Sequence, residues 1–180
     1  MIASFRVLFP VLIVLVAASP GVALAEDPTA ATVPAVSRAA ILGPDAAACA
    51  SGSHGSAVLV TVSGFKDRAG NVRVQLYSDN DKDFLRSGMK LTAEGKIFRR
   101  VEAATPADGD AAICVQLPGP GRYTLAVLHD RNADGQLNVF SDGFGFPNNP
   151  KVSFSPPKAD KAAFNAGDGI TALSIRLKYF

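Results

Sequence analysis

From about Ser56 onward the chain breaks into short apolar stretches separated by clusters of Gly, Pro, Asn and Asp, a rhythm that belongs to an all-β domain. The sharpest stretch is residues 71–78, where Val72, Val74 and Leu76 alternate with Arg73, Gln75 and Tyr77. Period-two alternation puts the first set inward and the second outward, and a one-residue slip would reverse every side chain, so the register is well specified. Residues 57–63 place Val58, Val60 and Val62 on one face and Leu59 and Thr61 on the other, apolar enough on both for a central strand. Further strands are expected over 97–103, 111–117, 122–129 and 170–179, with a short one near Val152. Pro118-Gly119-Pro120-Gly121 excludes helix and reads as a tight hairpin connection, and only 83–91 hints at a helical turn. About seven such strands predict a two-layer antiparallel β-sandwich, immunoglobulin-like or transthyretin-like.

The amino terminus sets the compartment. Residues 1–6 carry one positive charge, 7–17 form an apolar run broken only by Pro10, and Ala23-Leu24-Ala25 places small residues before Glu26. This reads as a cleavable signal peptide over 1–25, because the run is shorter than the roughly 20 residues of a spanning helix. Cleavage leaves 180 − 25 = 155 residues, room for one ordinary domain. Residues 26–48, rich in Ala, Pro and Thr, read as a flexible leader, and 49–180 as the single folded domain. The expected location is the periplasm or the exterior, with no membrane anchor after cleavage and a cell-envelope component as the expected kind of partner. A formal charge of +2 is too small to argue for nucleic acid.

Export also governs the two cysteines. Cys49 and Cys114 are the only candidates for each other, and an oxidising compartment favours a disulfide; two small buried thiols are the alternative. The absence of a CxxC pair argues against thiol–disulfide catalysis.

The segment 129–138 carries the densest chemistry. Asp130, Asn132, Asp134 and then Gly135 match the first half of a calcium loop, in which alternate oxygen side chains point inward and glycine allows the sharp turn. Gln136 offers a backbone carbonyl and Asn138 a side-chain oxygen. The match fails at position 12, where Ser141 replaces a bidentate Glu, with Asp142 one step later as a substitute ligand. The preceding segment is also a strand rather than a helix, so the loop is not an EF-hand. Two readings remain: a weak calcium site formed by Asp130, Asn132, Asp134, Gln136, Asn138 and Asp142, or an Asx-rich turn that caps its own amides. The following loop interleaves Phe140, Phe144 and Phe146 with turn formers, either as an aromatic platform for a ligand or as a lid on the core.

The run from Leu125 through His129-Asp130-Arg131-Asn132-Ala133-Asp134-Gly135 to Asn138, followed by Gly143-Phe144-Gly145-Phe146-Pro147-Asn148-Asn149 and preceded by Gly121-Arg122-Tyr123, resembles the bacterial domain of unknown function 2141 family. Asn138 stands where that family often has Asp, and Pro147 where it often has Ser. The resemblance spans roughly 58–178 and implies an exported β-sandwich, without an established activity.

These residues favour a non-enzymatic exported module. The alternatives are a carrier of a small apolar or sugar ligand at the 140–146 loop, and a hydrolase built on His129. The hydrolase would use Asp130 or Asp134 to orient the base and Ser141 or a metal-bound water as nucleophile. It lacks both a Gly-x-Ser-x-Gly elbow and zinc-type His spacing. Asp79, Asn80, Asp81 and Asp83 read as a solvated turn.

Overall fold

A computed structural model describes residues 40–153 and 155–180. The expected signal peptide and most of the expected leader lie outside these residues. The chain order is β1 (Ile41–Leu42), β2 (Ala57–Ser63), β3 (Asn71–Ser78), helix α1 (Gly88–Ala93), β4 (Phe98–Ala104), β5 (Ala111–Gln116), β6 (Gly121–Asp130), β7 (Gly143–Gly145), β8 (Ala163–Ala166) and β9 (Ile170–Arg176). They form two sheets, β1-β5-β2-β9 and β4-β3-β6-β7, with β8 pairing beside β7 on the same edge of β6. The fold is a nearly all-β two-sheet sandwich. Among the described residues no helix is long and apolar enough to cross a membrane.

The alternation read from sequence sets the core. Val58, Val60 and Val62 of β2 meet Val72, Val74 and Leu76 of β3, together with Ile113, Leu125, Val127 and Ile175, all at most 1% exposed. Full burial of each such side chain contributes roughly 1.5–3 kcal/mol. β2 is central, flanked by β5 antiparallel and β9 parallel. The β2–β9 and β1–β5 pairings are parallel, so the sandwich is not antiparallel throughout. In both cases the partner strand is far away in the chain and arrives without a hairpin.

Several local expectations change. Pro118-Gly119-Pro120-Gly121 does not close a hairpin, because β5 and β6 lie in opposite sheets and the segment crosses between them. The last strand ends at Arg176; beyond it, Lys178 exchanges backbone hydrogen bonds of 3.0 and 2.9 Å with Phe144 of the other sheet. No strand forms at Val152, and β7 and β8 flank that region instead. The helical turn falls over Gly88–Ala93, anchored by the fully buried Leu91.

The end of the expected leader is folded. Ile41–Leu42 pairs with β5, and a 3-10 turn over Ala46–Cys49 follows. Asp45, 6% exposed, accepts from the Gln116 amide at 2.9 Å and pairs with Arg99, whose guanidinium holds the carboxyl below its ordinary pKa. Cys49 and Cys114 are disulfide-bonded, on the outer face of the first sheet beside Ala57 and Leu59.

Candidate functional site

The second sheet turns β3, β4 and β6 residues outward, and this face is not open to water. Arg73 and Tyr77, expected in solvent, are 4% and 2% exposed. Two insertions cover them: residues 79–97 between β3 and β4, and residues 131–162 between β6 and β8. Tyr77 stacks edge-on against Phe84 at 5.6 Å, Phe84 meets Phe146 at 6.0 Å, and Phe146 meets Phe144 at 6.3 Å. This burial pushes the Tyr77 hydroxyl pKa up to about 12. Gly88 lets α1 settle on Phe98, since a Cβ there would come within 2.1 Å of the ring.

Between the two insertions runs a cleft of about 640 Å³, within the size range of small-molecule sites. Ala126 sits on its floor between Gln75 and Phe146, and the small side chain gives the cleft its depth. Phe98, Leu128, Phe144 and Phe180 line its walls, and Met89 and Leu137 stand at its rim, 83% and 52% exposed. The aromatic loop therefore divides. Phe146 is buried and Phe144 half-buried, both against the cleft, whereas Phe140 is 79% exposed and lines no part of it.

Sequence reasoning missed Arg73, Gln75, Tyr77 and Arg100 as parts of a site. The available signal was β6, whose outward Ala126 and Leu128 are as apolar as its inward Leu125 and Val127. A strand apolar on both faces is covered on both.

The Asp/Asn loop closes one end of the same face. Asp130, with no exposed surface, accepts from the amides of Asp134 at 3.2 Å and Gly135 at 2.8 Å, and from Arg73 Nη2 at 3.3 Å. Asp142, equally buried, accepts from the amides of Arg131 at 3.1 Å and Asn138 at 2.8 Å. Asp134 accepts from the Gln136 amide at 2.7 Å and from the Asn132 and Asn138 carboxamides at 2.8 and 2.9 Å, and these bonds lower its pKa. Every carboxylate oxygen of the three Asp residues thus receives a donor. Gly135 makes the turn with φ +79°, and its carbonyl accepts from Arg73 at 3.0 Å. Gln136 contributes its N–H to the ring. Among the described residues no group of three or more His, Cys, Asp or Glu is placed to hold a metal ion.

His129 lies fully buried at the end of β6, its Nδ1 2.7 Å from the Tyr179 hydroxyl and its Nε2 2.8 Å from the Ala69 carbonyl. Phe65 packs edge-on at 5.1 Å. The Nε2 must carry a proton to meet a carbonyl, so the Tyr179 hydroxyl donates to Nδ1 when the ring is neutral. Ser141 Oγ approaches Asn138 O at 3.4 Å and Asp142 at 3.5 Å, and no hydrogen bond joins it to His129. The acidic cluster at 79–83 is a turn with Asn80 and Asp81 exposed, as expected, and only Asp83 buried, and its side chains also tie it to the fold. Asn80 caps Asp83, Asp81 accepts from the Ala159 amide at 2.8 Å, and Asp79 pairs with Arg122 at 3.3 Å.

The sequence profile of a family described as an uncharacterized protein conserved in bacteria (DUF2141) matches residues 60–174. The chain belongs to the DUF2141 family. Comparison with curated proteins and with solved structures returned no match. The DUF2141 match runs from within β2 to within β9 and takes in both insertions that build the cleft, but it leaves Cys49 outside. Two asparagines of the DUF2141 loop acquire a physical role. Asn149 accepts from the Arg176 amide at 2.8 Å and donates to the Ser174 carbonyl at 3.2 Å, and Asn148 donates to the Ala163 carbonyl at 3.0 Å. Asn148 thus ties the loop to β8 of one sheet and Asn149 ties it to the edge strand β9 of the other.

Proposed function

We propose that this DUF2141 chain is a non-enzymatic binding module, exported to the periplasm or beyond, whose cleft on the outer face of the second sheet takes a small, largely apolar ligand. The observation that carries this reading is the cleft itself: concave, aromatic-walled, and left between two insertions that pack a second apolar cluster on the outer face of the sheet without filling the space between them. The Cys49–Cys114 disulfide supports an oxidising compartment. The test is titration with N-phenyl-1-naphthylamine, an uncharged fluorophore. Saturable one-to-one enhancement is expected, and Ala126→Trp, which fills the floor, is expected to abolish it while thermal unfolding confirms a folded protein. No enhancement, or equal enhancement in the variant, would sink the reading.

The loop is better read as a metal-free brace than as a calcium site. Asn138, where the family resemblance leads one to expect Asp, supplies an N–H to Asp134; a carboxylate there would repel it and call for a cation. Arg73 already brings a positive charge to Asp130. Thermal unfolding in excess calcium and in chelator is therefore expected to coincide. Occupancy at 100 times the dissociation constant would stabilise by about 2.7 kcal/mol, a rise of roughly 5–10 °C, and a rise of that size would restore the calcium reading.

A further inference from the structure

Resting on the reading of the cleft as a ligand site, we propose that its occupant is a single-headed anionic amphiphile: a carboxylate on an alkyl chain, with the head at Arg100 and the tail against Ala126, Phe144 and Phe146. The cleft is lined by three arginines, Arg73, Arg86 and Arg100, and by no Asp or Glu. Two of these charges are already matched. Arg73 pairs with Glu102 at 2.7 Å and Asp130 at 3.3 Å, and Arg86 with Glu94 at 2.6 Å and Asp83 at 3.6 Å. Among the described residues no carboxylate lies within 4.0 Å of Arg100.

Arg100 is also held in place. Its guanidinium lies over the Phe98 ring, 5.8 Å from the centroid. With the Gln75 amide oxygen turned towards it, Gln75 accepts from Nη2 at 2.9 Å and from Nε at 3.2 Å. This leaves Nη1 and one proton of Nη2 to donate elsewhere, a fork suited to a carboxylate. Strand register puts Arg100 opposite Gln75 and Gln75 opposite Ala126, so the cation and the apolar floor share one row across the sheet. Adjacent strands are about 4.8 Å apart, which places the head roughly 10 Å from the floor at β6. Glu102, two residues along β4, feels the Arg100 charge but makes its direct ion pair with Arg73, so one cation without a direct carboxylate partner stands at one end of an apolar trough and fits one anionic head. A polyanion would find no second arginine free of a direct carboxylate partner in the cleft lining.

The test compares sodium dodecanoate, below its micellar concentration, with 1-dodecanol as competitors of N-phenyl-1-naphthylamine on the purified protein. Dodecanoate is expected to bind about tenfold tighter than dodecanol. Arg100→Gln, at an exposed position, is expected to remove that advantage while leaving dodecanol unchanged, and Arg100→Lys to keep part of it. Equal affinities for the two probes, or Arg100→Gln without effect on dodecanoate, would overturn the anionic ligand and leave the cleft reading standing. If the fluorophore itself does not bind, both readings fall.

Discussion

Asp130→Ala is expected to cost about 3–5 kcal/mol, the penalty for removing one partner of a buried ion pair. Arg73 has three acceptors: Glu102, Asp130 and the Gly135 carbonyl. Glu102 is one-third exposed, and the Arg73 guanidinium beside it holds its carboxyl below the ordinary pKa. Asp130 is the member with no exposed surface. Removing it also takes the acceptor from the Gly135 amide and leaves the Asp134 amide with Asn132 alone, so the turn and the charge pair weaken together. Urea unfolding checks the size of the loss. A double-mutant cycle checks its origin: Asp130→Leu with Arg73→Met is expected to cost less than the sum of the two changes made singly, since each single change strands a buried charge, whereas in the double variant the one-third-exposed Glu102 keeps its bond to Asn71. Strict additivity of the two sites, or a loss below about 1 kcal/mol, would refute the brace.

Loss of the Cys49–Cys114 disulfide is expected to have a comparable effect. Its closed loop spans 65 residues, for which the chain-entropy account assigns about 4 kcal/mol. Against a total stability of about 5–15 kcal/mol for a domain, Cys49→Ala with Cys114→Ala would leave the fold marginal at physiological temperature. The bond lies on the outer face of the first sheet, away from the cleft, so the variant is expected to bind N-phenyl-1-naphthylamine at low temperature with unchanged affinity. An unfolding midpoint that does not move on reduction would show that the folded segment 40–49 docks without its covalent tie. That segment has ties of its own in the Asp45–Arg99 pair and the short β1–β5 ladder.

The inner half of this protein is legible in its residues. Val72, Val74 and Leu76 announce their face by alternation, and the neighbouring valines of β2 do the same. The pairing of Cys49 with Cys114 follows from there being no other cysteine. The turn chemistry of 130–135 is also local, because Asn, Asp and Gly at those spacings bond to amides only a few residues away. Local bonds of that kind need no tertiary information. They leave open only whether a cation joins them, which depends on what approaches from outside the segment. What approaches is Arg73, from a strand 57 residues earlier in the chain.

The outer half is a product of the tertiary structure. Alternation says that Arg73, Gln75 and Tyr77 share a face, but it cannot say what lies above that face. The coverings are the insertions 79–97 and 131–162, irregular in pattern and brought together only when β4, β3 and β6 become neighbours in one sheet. The same holds for His129, whose partners Ala69 and Tyr179 are 60 and 50 residues distant. Residue types and their spacing determined which side chains point together. Packing between distant segments decided which of those faces is water, which is core and which is a cleft, because burial is a property of what covers a surface and not of the strand that forms it.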